Sequence, residues 1–189
     1  MNKNTFDDNC LEEDVGEIST KYMALYGINI NLARAIPFVT DGLKPIFRRI
    51  LYAMYKTYGT DPFVVASGVG DILHYSPHGD RGTGDIFARL AQPFSNNIPL
   101  LDSSDGGNSG NAVNGNDAAA PRYLQIQISK FSVDVFFKEF DGKVNMIPTY
   151  DGKTVEPVSL PARVPVILLN GTSGVGYTLS SDVPPYNLN

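Results

Sequence analysis

Apolar positions recur every four residues over Pro45–Tyr58. Ile46, Ile50, Met54 and Tyr58 share one face, and Phe47, Leu51 and Tyr55 share the next. Arg48 and Arg49 point elsewhere. This pattern predicts a packed amphipathic helix with a basic side. Pro45 suits its first turn and Gly59 its end. Asp41-Gly42, just upstream, reads as a turn. Further upstream, residues 1–16 are polar and acidic and read as an arm. ISTKYMALYGINI (18–30) is apolar enough for an arm helix or a short strand, with Gly27 weakening either. A helix there stops near Ile36, because Pro37 disfavours helical backbone in the residue before it. Downstream, Asp61-Pro62 is expected to open a shorter helix over PFVVASGVGDIL (62–73). Its Ala66, Ser67, Gly68 and Gly70 permit close packing. A third helix is expected over GTGDIFARLAQ (82–92), with Ile86, Phe87 and Leu90 as its apolar side. Three helices with short connections and one basic block suggest a helix-turn-helix arrangement.

Residues 102–118, DSSDGGNSGNAVNGNDA, cannot bury a core segment and read as a long polar loop. PRYLQIQISKF (121–131) alternates, with Tyr123, Gln125 and Gln127 on one side and Leu124, Ile126 and Ile128 on the other. That is strand periodicity with one half-buried face. SVDVFFKEF (132–140) reads as a short helix. The remainder contains several prolines, the Asp151-Gly152 turn and the apolar run VPVILL (164–169). It reads as short strands and ordered loops in a mixed α/β region. The fold class is therefore α+β.

Composition removes whole classes. The 189 residues are 42% apolar and 19% charged, which fits a folded soluble protein with one sizeable core or two small ones. The single cysteine, Cys10, excludes an internal disulfide and a cysteine-rich zinc site. Both histidines, His74 and His78, fall in one short stretch. No apolar run reaches the ~18 residues of a membrane span. The N-terminal string MNKNTFDDNCLEED has no apolar signal region, so an intracellular protein is expected. Net charge is −5, which argues against non-specific nucleic-acid binding by bulk charge. Yet residues 34–90 carry seven basic against five acidic side chains, net +2, and are the only positive block. A polyanion would bind there.

RAIPFVTDGLKPIFRRILYAM (Arg34–Met54), SPHGD (Ser76–Asp80), AQPF (Ala91–Phe94), DAAAPRY (Asp117–Tyr123) and LLNGTSGVGY (Leu168–Tyr177) occur in that order. Together they resemble the DNA-breakage region of type IIA DNA topoisomerases, specifically the A-type subunits of gyrase and topoisomerase IV, phage versions included. The resemblance implies an N-terminal arm (1–33), a winged-helix DNA-gate domain with the active-site Tyr (34–141) and the truncated beginning of a tower domain (142–189). It implies ATP-dependent passage of one duplex through a transient double-strand break. A cytoplasmic setting follows, in a bacterial cell or a phage-infected host.

Carried onto this sequence, the resemblance makes Tyr123 the nucleophile toward DNA phosphorus. An oxygen nucleophile stores the phosphodiester energy as phosphotyrosine and makes rejoining possible without cofactor energy. Arg122 would bind non-bridging oxygens of the same phosphate. Neighbours on a strand point to opposite faces, so the two converge only if the backbone bends or two subunits contribute. His78 would donate to a phosphate oxygen or help transfer a proton. Ser76 stands where the family usually has a second His. Arg34, Lys44, Arg48 and Arg49 match basic residues placed near the duplex, where phosphate contacts fix position. Arg81 follows HGD where the bacterial subunits typically carry Ser. It can pair with Asp85 or a DNA phosphate, and the change implies weak anchoring of a quinolone-bound Mg²⁺. Val175 matches an intercalating Ile and would wedge into a base step.

No metal ligands are assigned to this chain. Mg²⁺ is expected on an acidic cluster of the B-type partner subunit, and no GxxxxGK[ST] loop is present, so ATP is expected on a partner too. The implied partners are a B-type subunit, double-stranded DNA, a second A-type chain and a missing C-terminal portion. The alternative is a non-catalytic winged-helix fragment that docks DNA or a partner.

Overall fold

The computed structural model describes residues 13–77, 80–104, 107–140 and 144–187, with backbone alone at Asp80 and Arg81. Helix α1 (Val15–Ile30) begins where Asp14 Oδ1 accepts from the amides of Gly16 and Glu17 at 2.7 and 3.2 Å. A carboxylate there satisfies otherwise unpaired donors and suits the positive end of the helix dipole. The segment is thus helix rather than strand. It runs on into a π-helical turn, Asn31–Ala35, and stops at extended Ile36. Gly27 is tolerated mid-helix because Tyr177 lies against it; a Cβ there would sit 2.7 Å from that ring.

Helix α2 (Pro45–Tyr58) follows its apolar pattern, burying Ile50, Leu51 and Met54. Gly59 ends it at φ +64°, its amide donating to Tyr55 O at 3.0 Å. The Asp61-Pro62 pair does not open a helix. Phe63–Val64 is a short strand, β1, and helix α3 starts at Val65 (Val65–Ile72). Phe63 is held out of the helix by pairing with Ile126. Gly68 lets α3 close on its neighbours, since a Cβ there would lie 2.8 Å from Phe63 and 3.1 Å from Phe87. Helix α4 (Asp80–Leu90) begins two residues before the expected Gly82. Strands β2 (Leu101–Ser103) and β3 (Gln125–Ile128) complete an antiparallel sheet of order β1-β3-β2. Leu101 pairs with Ile128 and Ser103 with Ile126. The alternation is observed: Ile126 and Ile128 are buried and Gln125 is exposed. Tyr123 belongs to the turn before the strand rather than to the strand itself.

A short α5 (Lys130–Ser132) continues as a second π-helical turn, Val133–Phe137. Two hairpins follow, β4–β5 (Met146–Pro148 with Val155–Pro157) and β6–β7 (Thr172–Val175 with Ser180–Val183). Between them VPVILL gives a helix, α6 (Val166–Asn170), not a strand. Val166 and Leu169 are buried three residues apart while Leu168 is exposed, so the run is amphipathic. A short apolar run does not reveal its own period. In the stretch NGTSGV (170–175), Thr172–Val175 form strand β6.

The class is α+β. Phe87, Phe136, Met54, Leu124 and Ile126 centre one core, in which Leu160 and Val166 also take part. The connection before α2 is tied to this late segment. Gly42 (φ +67°) lies so close to Ile167 that a Cβ would be 2.6 Å from its backbone N. Among the described residues, no helix is long and apolar enough to cross a membrane.

Candidate functional site

Helix α3 starts without a side-chain cap, so its first amides need other acceptors. Val65 N donates to Leu124 O at 2.9 Å and Ala66 N to Pro121 O at 3.0 Å. The segment 121–124 is therefore bolted to a helix start. It turns tightly: the amides of Tyr123 and Leu124 both reach Ala120 O, at 2.8 and 3.1 Å. Leu124 anchors it below in the core. Above, Gly84 of α4 comes so near that a Cβ would lie 3.1 Å from Pro121 Cγ. The turn supplies the bend that strand geometry would have denied. The Arg122 guanidinium lies over the Tyr123 ring, 4.9 Å from its centroid, and the tyrosine is 66% exposed. Both side chains therefore reach solvent from one side, and stacking of this kind orients the cation.

Beside the turn runs an open groove of about 410 Å³ between α4 and residues 117–121, with Asp85, Arg89 and Gln92 along one wall and Asp117 on the other. Gln92 Nε2 donates to Ser109 O at 2.7 Å and pins the polar loop against α4. Arg81 lies in the first turn of α4, four residues before exposed Asp85, and its side chain is not among those described. His78 lies outside the described residues.

The basic block divides. Arg34 is exposed on the π-helical turn. Lys44 donates to Ser173 O at 2.5 Å, and its pKa is pushed down by burial and then by Arg89 nearby. The expected basic side of α2 is not a free cationic surface. Arg48 is buried. Its Nε and Nη2 bind Asp41 at 2.5 and 3.0 Å, and Nη2 also reaches Leu43 O at 3.3 Å. Asp41, with no exposed side-chain surface, also accepts from the amides of Leu43 and Leu160, both at 3.0 Å. Arg49 makes a two-pronged contact with buried Glu156 at 2.6 and 2.8 Å. The sequence did not mark Asp41 or Glu156 as arginine partners. Asp41 reads as a turn former, and Glu156 lies 107 residues from its partner with no local signal.

Val175 projects from β6 and is 84% exposed, whereas Gly174 faces inward onto Lys44 and Ala35 O. Tyr123, Arg122 and the α4 groove are thus brought together, and Val175 stands on a separate hairpin. Among the described residues, no group of three or more His, Cys, Asp or Glu side chains is placed to hold a metal ion.

The sequence model for the A-type subunit of DNA gyrase/topoisomerase IV matches residues 34–189. The A-type subunit of DNA gyrase from Streptomyces coelicolor is 41% identical over 169 residues, which cover 86% of this chain and 19% of that protein. The A-type subunit of DNA topoisomerase 4 from Escherichia coli is 40% identical over 168 residues, 86% of this chain and 22% of its own length. The corresponding DNA gyrase subunit of Buchnera aphidicola is 38% identical over 180 residues, covering 92% and 21%. The chain spans about a fifth of the length of the curated relatives it matches.

Proposed function

The chain belongs to the family of A-type subunits of DNA gyrase and topoisomerase IV, and we propose that it forms the DNA-gate portion of an ATP-dependent type II topoisomerase. The observation that carries this is the pairing of exposed Tyr123 with stacked Arg122 on a turn fixed from three sides. In this reading α2, α3, α4 and the β1-β3-β2 sheet are the winged-helix unit, and residues 142–189 begin a tower domain.

Tyr123 Oη attacks the phosphorus of a backbone phosphodiester. The O–P bond forms, the bond to the 3′ oxygen breaks, the phenol gives up its proton and the 3′ oxygen gains one. The 5′ phosphate stays on the tyrosine, so the reverse attack rejoins the strand. The guanidinium of Arg122 donates to the non-bridging oxygens as charge builds on them, and the Tyr123 ring beneath holds its plane in place. His78 in SPHGD is assigned to proton exchange or to a phosphate oxygen. Arg34 and Lys44 supply positive charge toward the duplex, with Arg81 at the start of α4. Among the described residues no group of acidic, histidine or cysteine side chains is placed to hold a metal; Mg²⁺ is assigned to an acidic cluster of a B-type partner, where it would add Lewis-acid charge at the phosphate. ATP is assigned to that partner also. A second A-type chain would cut the other strand.

The test combines the chain with a B-type subunit, the remaining C-terminal portion, Mg²⁺ and supercoiled DNA, followed by detergent. A 5′-phosphotyrosyl adduct maps to Tyr123 and disappears in Tyr123→Phe. An adduct that persists in Tyr123→Phe removes the assignment. Duplex binding with no adduct in the native chain replaces it with the non-catalytic docking reading.

A further inference from the structure

The β6–β7 hairpin that carries Val175 is fastened to residues 31–44, more than a hundred positions earlier. Asn31, only 4% exposed, uses both ends of its amide on one residue: Oδ1 accepts from Tyr177 N at 2.6 Å, and Nδ2 donates to Tyr177 O at 2.9 Å. Its side chain thus pairs with the hairpin turn as a strand backbone would. Gly176 is required beside it, since a Cβ there would collide with Asn31 Oδ1. The π-helical turn leaves Ala35 O to accept from Ser181 Oγ at 3.1 Å, and Lys44 holds Ser173 O. π-helical turns inside helices recur at functional positions.

The turn itself explains why such a clamp is needed. Thr178 sits at φ +62°. A β-branched residue adopts that conformation only when its surroundings impose it. Its neighbour Tyr177 is the residue Asn31 holds, with Tyr26 edge-on to its ring at 6.1 Å and Gly27 against it. Two residues before Tyr177 stands Val175, facing solvent.

We infer that Asn31 is a positioning residue: by clamping Tyr177 it fixes the strained hairpin turn and thereby sets the direction in which Val175 meets DNA. The inference rests on the wedge reading of Val175. A loose hairpin would still be drawn to the duplex by Arg34 and Lys44, but its apolar tip would no longer be stiff enough to open a base step.

Two readouts on the full chain test this. Hydrogen exchange at the Tyr177 amide is about ten-fold faster in Asn31→Ala, because that donor loses its acceptor. A short duplex labelled at both ends for energy transfer is bent by the native chain. Both Val175→Ala and Asn31→Ala lose that bend and keep the native salt slope, because the phosphate contacts remain. The double variant is no worse than either single one. Unchanged Tyr177 exchange in Asn31→Ala overturns the inference. So does a bend lost in Val175→Ala but kept in Asn31→Ala. A duplex left straight by the native chain, or bent equally by Val175→Ala, overturns the wedge reading and the inference with it. If Asn31→Ala loses its cooperative unfolding transition, Asn31→Asp and Ser181→Ala carry the same test. Asn31→Asp keeps the acceptor for Tyr177 N but sets a carboxylate against Tyr177 O, so bending falls while exchange stays slow. Bending at the native level in both overturns the inference.

Discussion

Replacing Arg48 with alanine separates a structural cation from a DNA contact. In the native chain the Asp41 carboxylate has no exposed surface and receives four donors, two from Arg48 and one each from the amides of Leu43 and Leu160. Arg48→Ala leaves two amide donors and no countercharge. Stranding one partner of a buried pair costs about 3–5 kcal/mol. For a chain of this size that lowers Tm by roughly 6–20 °C, at ~2–4 °C per kcal/mol. Asp41→Asn strands the guanidinium instead and is destabilising in the same sense. The double variant Arg48→Ala with Asp41→Asn loses less than the sum of the singles, by up to ~3 kcal/mol. Arg49→Ala costs about 1–2 kcal/mol, since Arg49 is a quarter exposed and water takes over part of its contact with Glu156. Urea unfolding followed by far-UV circular dichroism measures all four, and duplex titrations at several salt concentrations accompany it. An Arg48→Ala chain within ~0.5 kcal/mol of native stability, with weakened DNA binding and a shallower salt slope, refutes the reasoning. It would mean that Arg48 leaves Asp41 and faces phosphate.

Two further outcomes are expected. Gly42→Ala lowers stability by about 1–3 kcal/mol, because the new methyl meets Ile167 N at a backbone φ of +67°; an unchanged unfolding midpoint would show that the turn moves away from α6. The Tyr58 hydroxyl is pushed up to about 12 by burial and then by its 2.6 Å hydrogen bond to Asp71. Its folded value lies above the ordinary 10.0, so its contribution to stability is complete below pH 10 and is lost as pH rises through about 12. The native-minus-Tyr58→Phe difference in phenolate absorbance therefore titrates near 12; titration near 10 contradicts the contact.

What the sequence reveals depends on how far apart the causes lie. Helix α2 was legible because its start, its four-residue repeat and its Gly59 stop are all local. The alternation of β3 was legible for the same reason, and the DAAAPRY motif marked Tyr123 for attention. The bend at Pro121–Tyr123 was not, because it is set by α3 amides more than fifty residues earlier, at Val65 and Ala66. The arginines of α2 looked free because polar spacing on a helix reports direction but not occupancy. Their carboxylates come from the turn at Asp41 and from β5, which pairing alone brings near. VPVILL misled because burial on one face and on all faces looks alike in a run that short.

The Asn31–Tyr177 clamp joins residues 146 positions apart, which gives it a meaning in time as well as space. At ~5–20 residues per second, a ribosome needs about 7–30 s to travel from one partner to the other. Throughout that interval α1 has no hairpin to pack on, and an isolated helix of its length is marginal in water. Helix α1 is therefore made long before it is secured. A nascent chain interrupted before Tyr177 leaves α1 open to proteases, whereas one in which the β6–β7 hairpin has formed closes it onto Asn31.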